Sequence, residues 1–237
     1  MRGSRIFSRY KGDLKSRLFG EGKYGEYWQD MDFDFWQKMY DRNHLLHEDF
    51  KKFFNKRSPH IKTILEIGCG IGTYPIQNKK MFSGIDYTGI DISKQCTDYC
   101  KKNSQFSFFT GDFLKMNFDT SFNLVYSHDV ITHVSDIDGF LRKCLKLTNR
   151  YLYVCSDRGF HPNLENHKQI WSESDSCYYN DLSVSQLQRI MTESTIEKDQ
   201  YVIRPQKSGS DVKGSETKVL IEVDRNREEE TSKELDV

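Results

Sequence analysis

Glu66, Gly68, Gly70 and Gly72 stand at alternate positions in the stretch LEIGCGIGTY, residues 65–74. A bend stripped of side chains lets a ligand approach main-chain N–H groups closely. Spacing decides which ligand that is. The dinucleotide fingerprint is G-x-G-x-x-G, and Thr73 stands where its third glycine belongs. No Gly-Lys-Ser/Thr follows, which removes a P-loop.

Other chemistry-bearing residues come in a fixed order behind the bend. Asp91, followed by Ile92, closes YTGIDIS, 19 residues beyond Gly72. A carboxylate at a strand end can accept hydrogen bonds from both hydroxyls of a ribose. Asp112 and Phe113 lie in TGDFLKM, and Ser127 and His128 in LVYSHDVITHV.

Taken together, E-x-G-x-G-x-G and the three later stretches resemble the class I S-adenosylmethionine-dependent methyltransferases over about residues 60–224. The resemblance implies S-adenosylmethionine (SAM) as cofactor. It implies that Gly68, Gly70 and Gly72 admit the methionyl and ribose portions, whose carboxylate and hydroxyls meet close backbone donors. It also implies that Asp91 and Ile92 receive the ribose and that Asp112 receives the adenine amino group with Phe113 nearby. Ser127 and His128 would line the methionine end. Glu66 resembles the family's acidic residue that organises the loop and acts indirectly on the cofactor ammonium.

Methyl transfer from a sulfonium is an in-line displacement. Holding nucleophile, methyl carbon and sulfur in line supplies several kcal/mol through orientation. The sulfonium charge vanishes during the reaction, so an aromatic-walled site suits it. Tyr24, Tyr27 and Trp28 in KYGEYWQD are candidates for a lid of that kind. An oxygen or protonated nitrogen acceptor usually needs a base. His128 is the first candidate, Asp157 the second and His161 the third, while His133 is expected to pack structurally.

The elements that must position these residues follow from periodicity. Apolar residues from Trp36 to Phe54 recur at three- and four-residue steps, a helical stripe over 24–56 in two pieces, ended by Pro59. After it, strands and helices alternate. TILEIG, DYTGIDI, QFSFFTGD, FNLVYSH and RYLYVCSD predict five strands. Helices are predicted at 93–103 with Ser93 as N-cap, at 135–147 with a Ser135/Asp138 capping box, and at 183–191 with Ser183 and Gln186 at the same spacing. TIEKDQYVIRP and TKVLIEVD form a closing hairpin. The expected fold class is α/β: a doubly wound, mostly parallel seven-stranded Rossmann-like sheet with an antiparallel C-terminal hairpin strand. Residues 1–23 are expected to be a flexible basic arm, 24–223 one methyltransferase domain with 24–59 as lid and lead-in, and 224–237 a disordered acidic tail.

Composition narrows the partners. Lys plus Arg and Asp plus Glu both number 35 in 237 residues, a neutral balance that argues against a nucleic-acid partner. SHDV occupies the place where amino methyltransferases of bases and amides carry [NDS]-P-P-[YF]. No apolar run of membrane-spanning length occurs, and six scattered cysteines without C-x-x-C spacing read as reduced thiols, so a cytoplasmic protein without a resident metal is expected. The insert 158–181 carries His161, His167, Trp171, Tyr178 and Tyr179 among polar residues. Such inserts help form the acceptor pocket in the family. The expected function is methyl transfer to an O or N atom of a small molecule, such as a sugar or glycan. A non-catalytic SAM binder of the same fold, or a protein methyltransferase, is the rival reading. The sequence leaves the oligomeric state open.

Overall fold

The computed structural model describes residues 24–42, 44–156, 158, 160–203 and 219–224. The lead-in is helical, with α1 (Glu26–Gln29), α2 (Phe33–Arg42) and α3 (His44–Arg57) followed by a 3-10 turn at Ser58–His60. The alternation then begins with β1 (Thr63–Ile67), α4 (Thr73–Gln77), β2 (Asp86–Asp91), α5 (Lys94–Asn103), β3 (Ser107–Thr110) and β4 (Phe122–His128). It continues through α6 (Ile137–Leu147), β5 (Thr148–Ser156), β6 (Phe160–His161), β7 (Lys168–Ser172), β8 (Cys177–Ser183) and α7 (Val184–Glu193). β9 (Tyr201–Ile203) and β10 (Val219–Asp224) close it.

The main sheet has the order β3-β2-β1-β4-β5-β10-β9. The first five strands are mutually parallel and β10 runs antiparallel to both β5 and β9. This is the doubly wound sheet with a terminal hairpin that the sequence predicts. β1 is central because it is apolar on both faces: Leu65 and Ile67 enter one core, Ile64 the other. The first core lies under α6 and α7 and the second, rich in aromatic rings, under α3 and α5. The strand order reverses between β1 and β4, and ligands of doubly wound sheets bind outside the carboxyl ends of the strands at such a reversal.

The caps differ in part from expectation. Ser93 Oγ accepts from Cys96 N at 3.4 Å, and Ser183 Oγ accepts from Gln186 N at 3.1 Å. α6, however, is capped by Asp136, whose Oδ1 accepts from Gly139 N at 2.8 Å, so the Ser135/Asp138 box does not form. Gln186 does not reach back to Ser183, because its amide donates to Asp138 Oδ1 and accepts from His167 N. Asp224, expected in the tail, is the last residue of β10, with its N–H on Gln200 O. The arm at 1–23 and residues 225–237 lie outside the described residues.

The insert after β5 is an ordered element. β7 and β8 form an antiparallel hairpin, and β6 pairs parallel to β8. Asn180, buried on β8, fastens it to the chain leaving β4. Its N–H donates to Thr132 O, and its Nδ2 to Ile131 O at 2.9 Å and Val134 O at 2.8 Å.

Candidate functional site: the crevice at the glycine bend

Gly68, Gly70 and Gly72 all have positive φ, at 75°, 51° and 65°. At Gly68 space forbids a side chain as well, since a Cβ there would lie 2.1 Å from Val130 Cγ2. The alternating glycines coil the chain so that its N–H groups turn back into the protein. Gly68 N and Cys69 N both donate to Ile90 O, Gly72 N donates to Cys69 O, and Gly70 N donates to Asp91 Oδ2 at 2.8 Å. These four donors are committed internally. The expectation that the bend's own N–H groups meet the ligand's carboxylate is corrected for these four: those of Gly68, Cys69 and Gly70 hold β2, and that of Gly72 closes the bend on Cys69 O.

The contact between Gly70 and Asp91 joins two separate sequence motifs. Asp91 Oδ1 also accepts from Ser93 N at 2.8 Å. Burial pushes the Asp91 carboxyl up to about 6, against the pull of the Ser93 and Gly70 N–H groups. Each carboxylate oxygen keeps acceptor capacity beyond its one N–H. Ile92 beside it is half-buried, and its Cδ1 leaves no room for a side chain on Gly25.

Glu66 lies beneath the bend, 4% exposed, and both Tyr87 and Tyr126 donate their hydroxyls to its Oε2. Burial pushes its carboxyl up to about 8 despite those two hydrogen bonds. At neutral pH the side chain is therefore mostly a neutral acid. It braces β1 against β2 and β4 through the phenols, an indirect arrangement.

Asp112 borders a cleft of about 490 Å³ together with Tyr24, Leu114, Ser135, Trp171 and Tyr178. Its Oδ1 accepts from Leu114 N at 3.0 Å and its Oδ2 stands 3.2 Å from Lys115 Nζ. Phe113 turns its ring into the core against Phe118 and Phe140. Ser127 is buried, and its hydroxyl donates to Ile67 O at 3.0 Å. The sequence reading missed Lys143, whose Nζ donates to the carbonyls of Phe113, Leu114 and Met116 and so fixes the loop behind Asp112. A lysine on a helix face carries no signal for this role.

The base candidates fall in different places. His128 ends β4 inside a box of rings, 5.2 Å from Tyr74, 5.3 Å from Phe50, 5.6 Å from Tyr153 and 5.7 Å from Tyr126. His161 stands in the second sheet, paired with Ser183. Asp157 lies outside the described residues. His133, expected to pack structurally, is the histidine that lid and hairpin share. Its Nδ1 is 2.8 Å from Tyr178 O, its ring is 4.8 Å from Trp28 and 5.2 Å from Tyr179, and its carbonyl accepts from Tyr24 Oη at 3.1 Å. A proton on Nδ1 satisfies Tyr178 O and leaves Nε2 as the basic nitrogen.

The lid residues gather as well. Tyr27 and Trp28 meet edge to face at 5.0 Å, Trp28 stands 6.0 Å from Trp36, and Gly25 N donates to Ser176 O of the turn between β7 and β8. Lead-in and hairpin thus form one roof, which reaches the bend at Gly70 through Trp36.

Residues 64–150 match the model of a methyltransferase domain. Sterol 24-C-methyltransferase of Kluyveromyces lactis is 30% identical over 119 residues, 44% of this chain and 32% of that protein. Norajmaline N-methyltransferase of Rauvolfia serpentina is 30% identical over 106 residues, 41% of this chain and 36% of that protein. The chain thus spans about a third of the length of these curated relatives. Among solved structures, magnesium protoporphyrin IX methyltransferase from Synechocystis PCC 6803 with bound SAM shares the fold, at a TM-score of 0.55 and 15% identity over 92% of this chain and 97% of that one. DesVI of Streptomyces venezuelae shares it at a TM-score of 0.53 and 12% identity, over 82% of this chain and 99% of that one. Together with the sheet order and the glycine bend tied to Asp91, the match over residues 64–150 likens that part of the chain to a methyltransferase domain.

Proposed function

We propose that the protein binds SAM in the crevice between Gly70 and Asp91 and transfers its methyl group to a small-molecule acceptor. The observation that carries this is the hydrogen bond from Gly70 N to the Asp91 carboxylate, which makes the bare bend and the ribose-accepting acid two walls of one crevice. Asp91, largely ionised above its raised pKa of about 6, accepts the ribose hydroxyls at neutral pH. The adenine lies toward Asp112 and its cleft, with Ile92 against the nucleoside. Ser127 holds the floor rather than the ligand.

In the reaction the acceptor's lone pair attacks the methyl carbon and the C–S bonding pair returns to sulfur. S-adenosylhomocysteine leaves, and the acceptor's proton passes to a base or to solvent. The roof of Tyr27, Trp28, His133 and Tyr179 supports a shape suited to a sulfonium and a ring-bearing acceptor, because aromatic faces stabilise a nearby cation by about 0.5–2 kcal/mol. His133 stands at that roof with a fixed tautomer and joins His128 as a candidate base. The relatives named above act on a sterol, an alkaloid and a porphyrin, which favours a small acceptor over a macromolecule. A sugar or another hydroxylated molecule meeting Trp171 and Tyr178 is the finer reading, with oxygen or nitrogen as target atom.

Calorimetry with SAM and S-adenosylhomocysteine, followed by S-adenosylhomocysteine release with a panel of sugars, phenols, amines and sterols, tests the reading. Binding of both nucleosides and acceptor-dependent release are expected. Binding without release from any acceptor would favour the non-catalytic binder, and no binding at millimolar SAM would remove both readings.

A further inference from the structure

We propose that the β7–β8 hairpin clamps the cofactor's base, with Trp171 as the ring that stacks against the adenine. This rests on the crevice being a SAM site, as proposed above. Trp171 then serves the cofactor before it serves a sugar acceptor. Trp171 and Tyr178 line the same cleft of about 490 Å³ as Asp112, together with Leu114 and with Tyr24 of the lead-in. Trp171 is the cross-strand partner of Tyr178, so both side chains leave one face of the hairpin, and their rings stand 5.0 Å apart. A cleft of this volume, walled by rings and carrying a few polar groups, has the size and lining of a small-ligand site.

The chain around Asp112 brings no aromatic wall of its own to that cleft. Phe113, the ring expected near the adenine, is buried against Phe118 and Phe140. Leu114 is the apolar neighbour that stays at the cleft. A purine presents an amino edge and two flat faces. The amino edge needs an acceptor, and the Asp112 carboxylate keeps capacity beyond the N–H of Leu114. The flat faces need cover, which an aromatic side chain supplies by stacking. Trp171 has the largest ring at the cleft, and it stands on an anchored element. Gly25 N donates to Ser176 O in the turn of the hairpin, and the Asn180 amide ties β8 to the chain leaving β4.

The test measures S-adenosylhomocysteine binding by calorimetry to the full chain as wild type, Trp171→Ala, Trp171→Phe and Ile170→Ala. Ile170 is exposed and points to the other face of the hairpin. Trp171→Ala is expected to weaken binding about tenfold, and Trp171→Phe, which keeps a ring, about threefold or less. Ile170→Ala is expected to stay within about twofold of the wild type. Unchanged affinity in Trp171→Ala overturns the proposal and leaves the ring to the acceptor. An equal loss in Ile170→Ala overturns it as well, because it marks a general loosening of the hairpin. A wild type that does not bind overturns the SAM reading itself. Should the Trp171 variants not fold, photo-crosslinking of the wild type with an azidoadenine analogue of S-adenosylhomocysteine decides. Label on Trp171 or Tyr178, displaced by excess S-adenosylhomocysteine, is expected, and label confined to other segments overturns the proposal.

Discussion

Glu66 is a carboxyl group enclosed by two phenols, and its chemistry follows from that enclosure. Burial raises its pKa from 4.5 to about 8, so the folded protein holds a proton that the unfolded chain releases near 4.5. Between those values the native state binds more protons, and stability falls as pH rises. Asp91 acts in the same direction between 3.8 and about 6. His167 acts oppositely, because burial lowers its pKa from 6.5 to about 4 and stability rises with pH through that window. Both of these fade above about pH 7, and from there to pH 8 the Glu66 contribution is the larger one. Wild-type stability is expected to drop there by about 1 kcal/mol per pH unit. Glu66→Gln, which keeps an acceptor for the two phenols and cannot ionise, is expected to remove that slope. Urea melts across the pH range measure the difference, and an identical slope in the variant would contradict the assignment. The glutamate's position was legible from its place before the glycines. Its protonation was not, since Tyr87 and Tyr126 come from two other strands.

The β7–β8 hairpin shows the same contrast at the scale of an element. Its aromatic residues stand out in the sequence, but its anchor does not: Asn180 is one polar residue in CYYND. The fold buries it and gives its amide the carbonyls of Ile131 and Val134. Asn180→Ala takes the Asn180 amide from Ile131 O and leaves Val134 O with only the longer bond from Gln169 Nε2, at about 1–3 kcal/mol for a carbonyl left unpaired. A destabilisation of about 2–4 kcal/mol in urea is expected, together with faster amide exchange along β7 and β8 than in the main sheet. Uniform protection in the variant would mean that the hairpin is held elsewhere. The same anchoring positions Tyr178 against His133, so the element that forms the roof also sets the tautomer of the histidine beneath it.

Across the whole molecule, the proposed site at the strand-order reversal would couple SAM binding to the stability of the sheet. β1, β2 and β4 carry Glu66, Asp91 and Ser127 on their carboxyl ends, so a nucleoside held there is lost when the sheet opens. SAM at a hundredfold its dissociation constant is expected to add about 2.7 kcal/mol. For a chain of this size that is a rise in melting temperature of roughly 5–10 °C. Differential scanning calorimetry with and without SAM reads it directly. A melting temperature that ignores saturating SAM would separate the binding site from the sheet's carboxyl ends.

The sequence by itself determined the strand–helix alternation, the doubly wound sheet, and the places of Glu66 on β1, of Gly68, Gly70 and Gly72 in the bend and of Asp91 at the end of β2. These signals are local: a hydrophobic period, a backbone that only glycine adopts readily, an acid at a strand end. Tertiary structure alone decided that the bend's N–H groups turn inward, that Phe113 and Ser127 belong to the packing, and that Trp36 and His133 meet the site from distant segments. Those outcomes depend on which hydrogen bonds and rings close across the fold, and contacts between segments so far apart in the chain leave no local spacing to read.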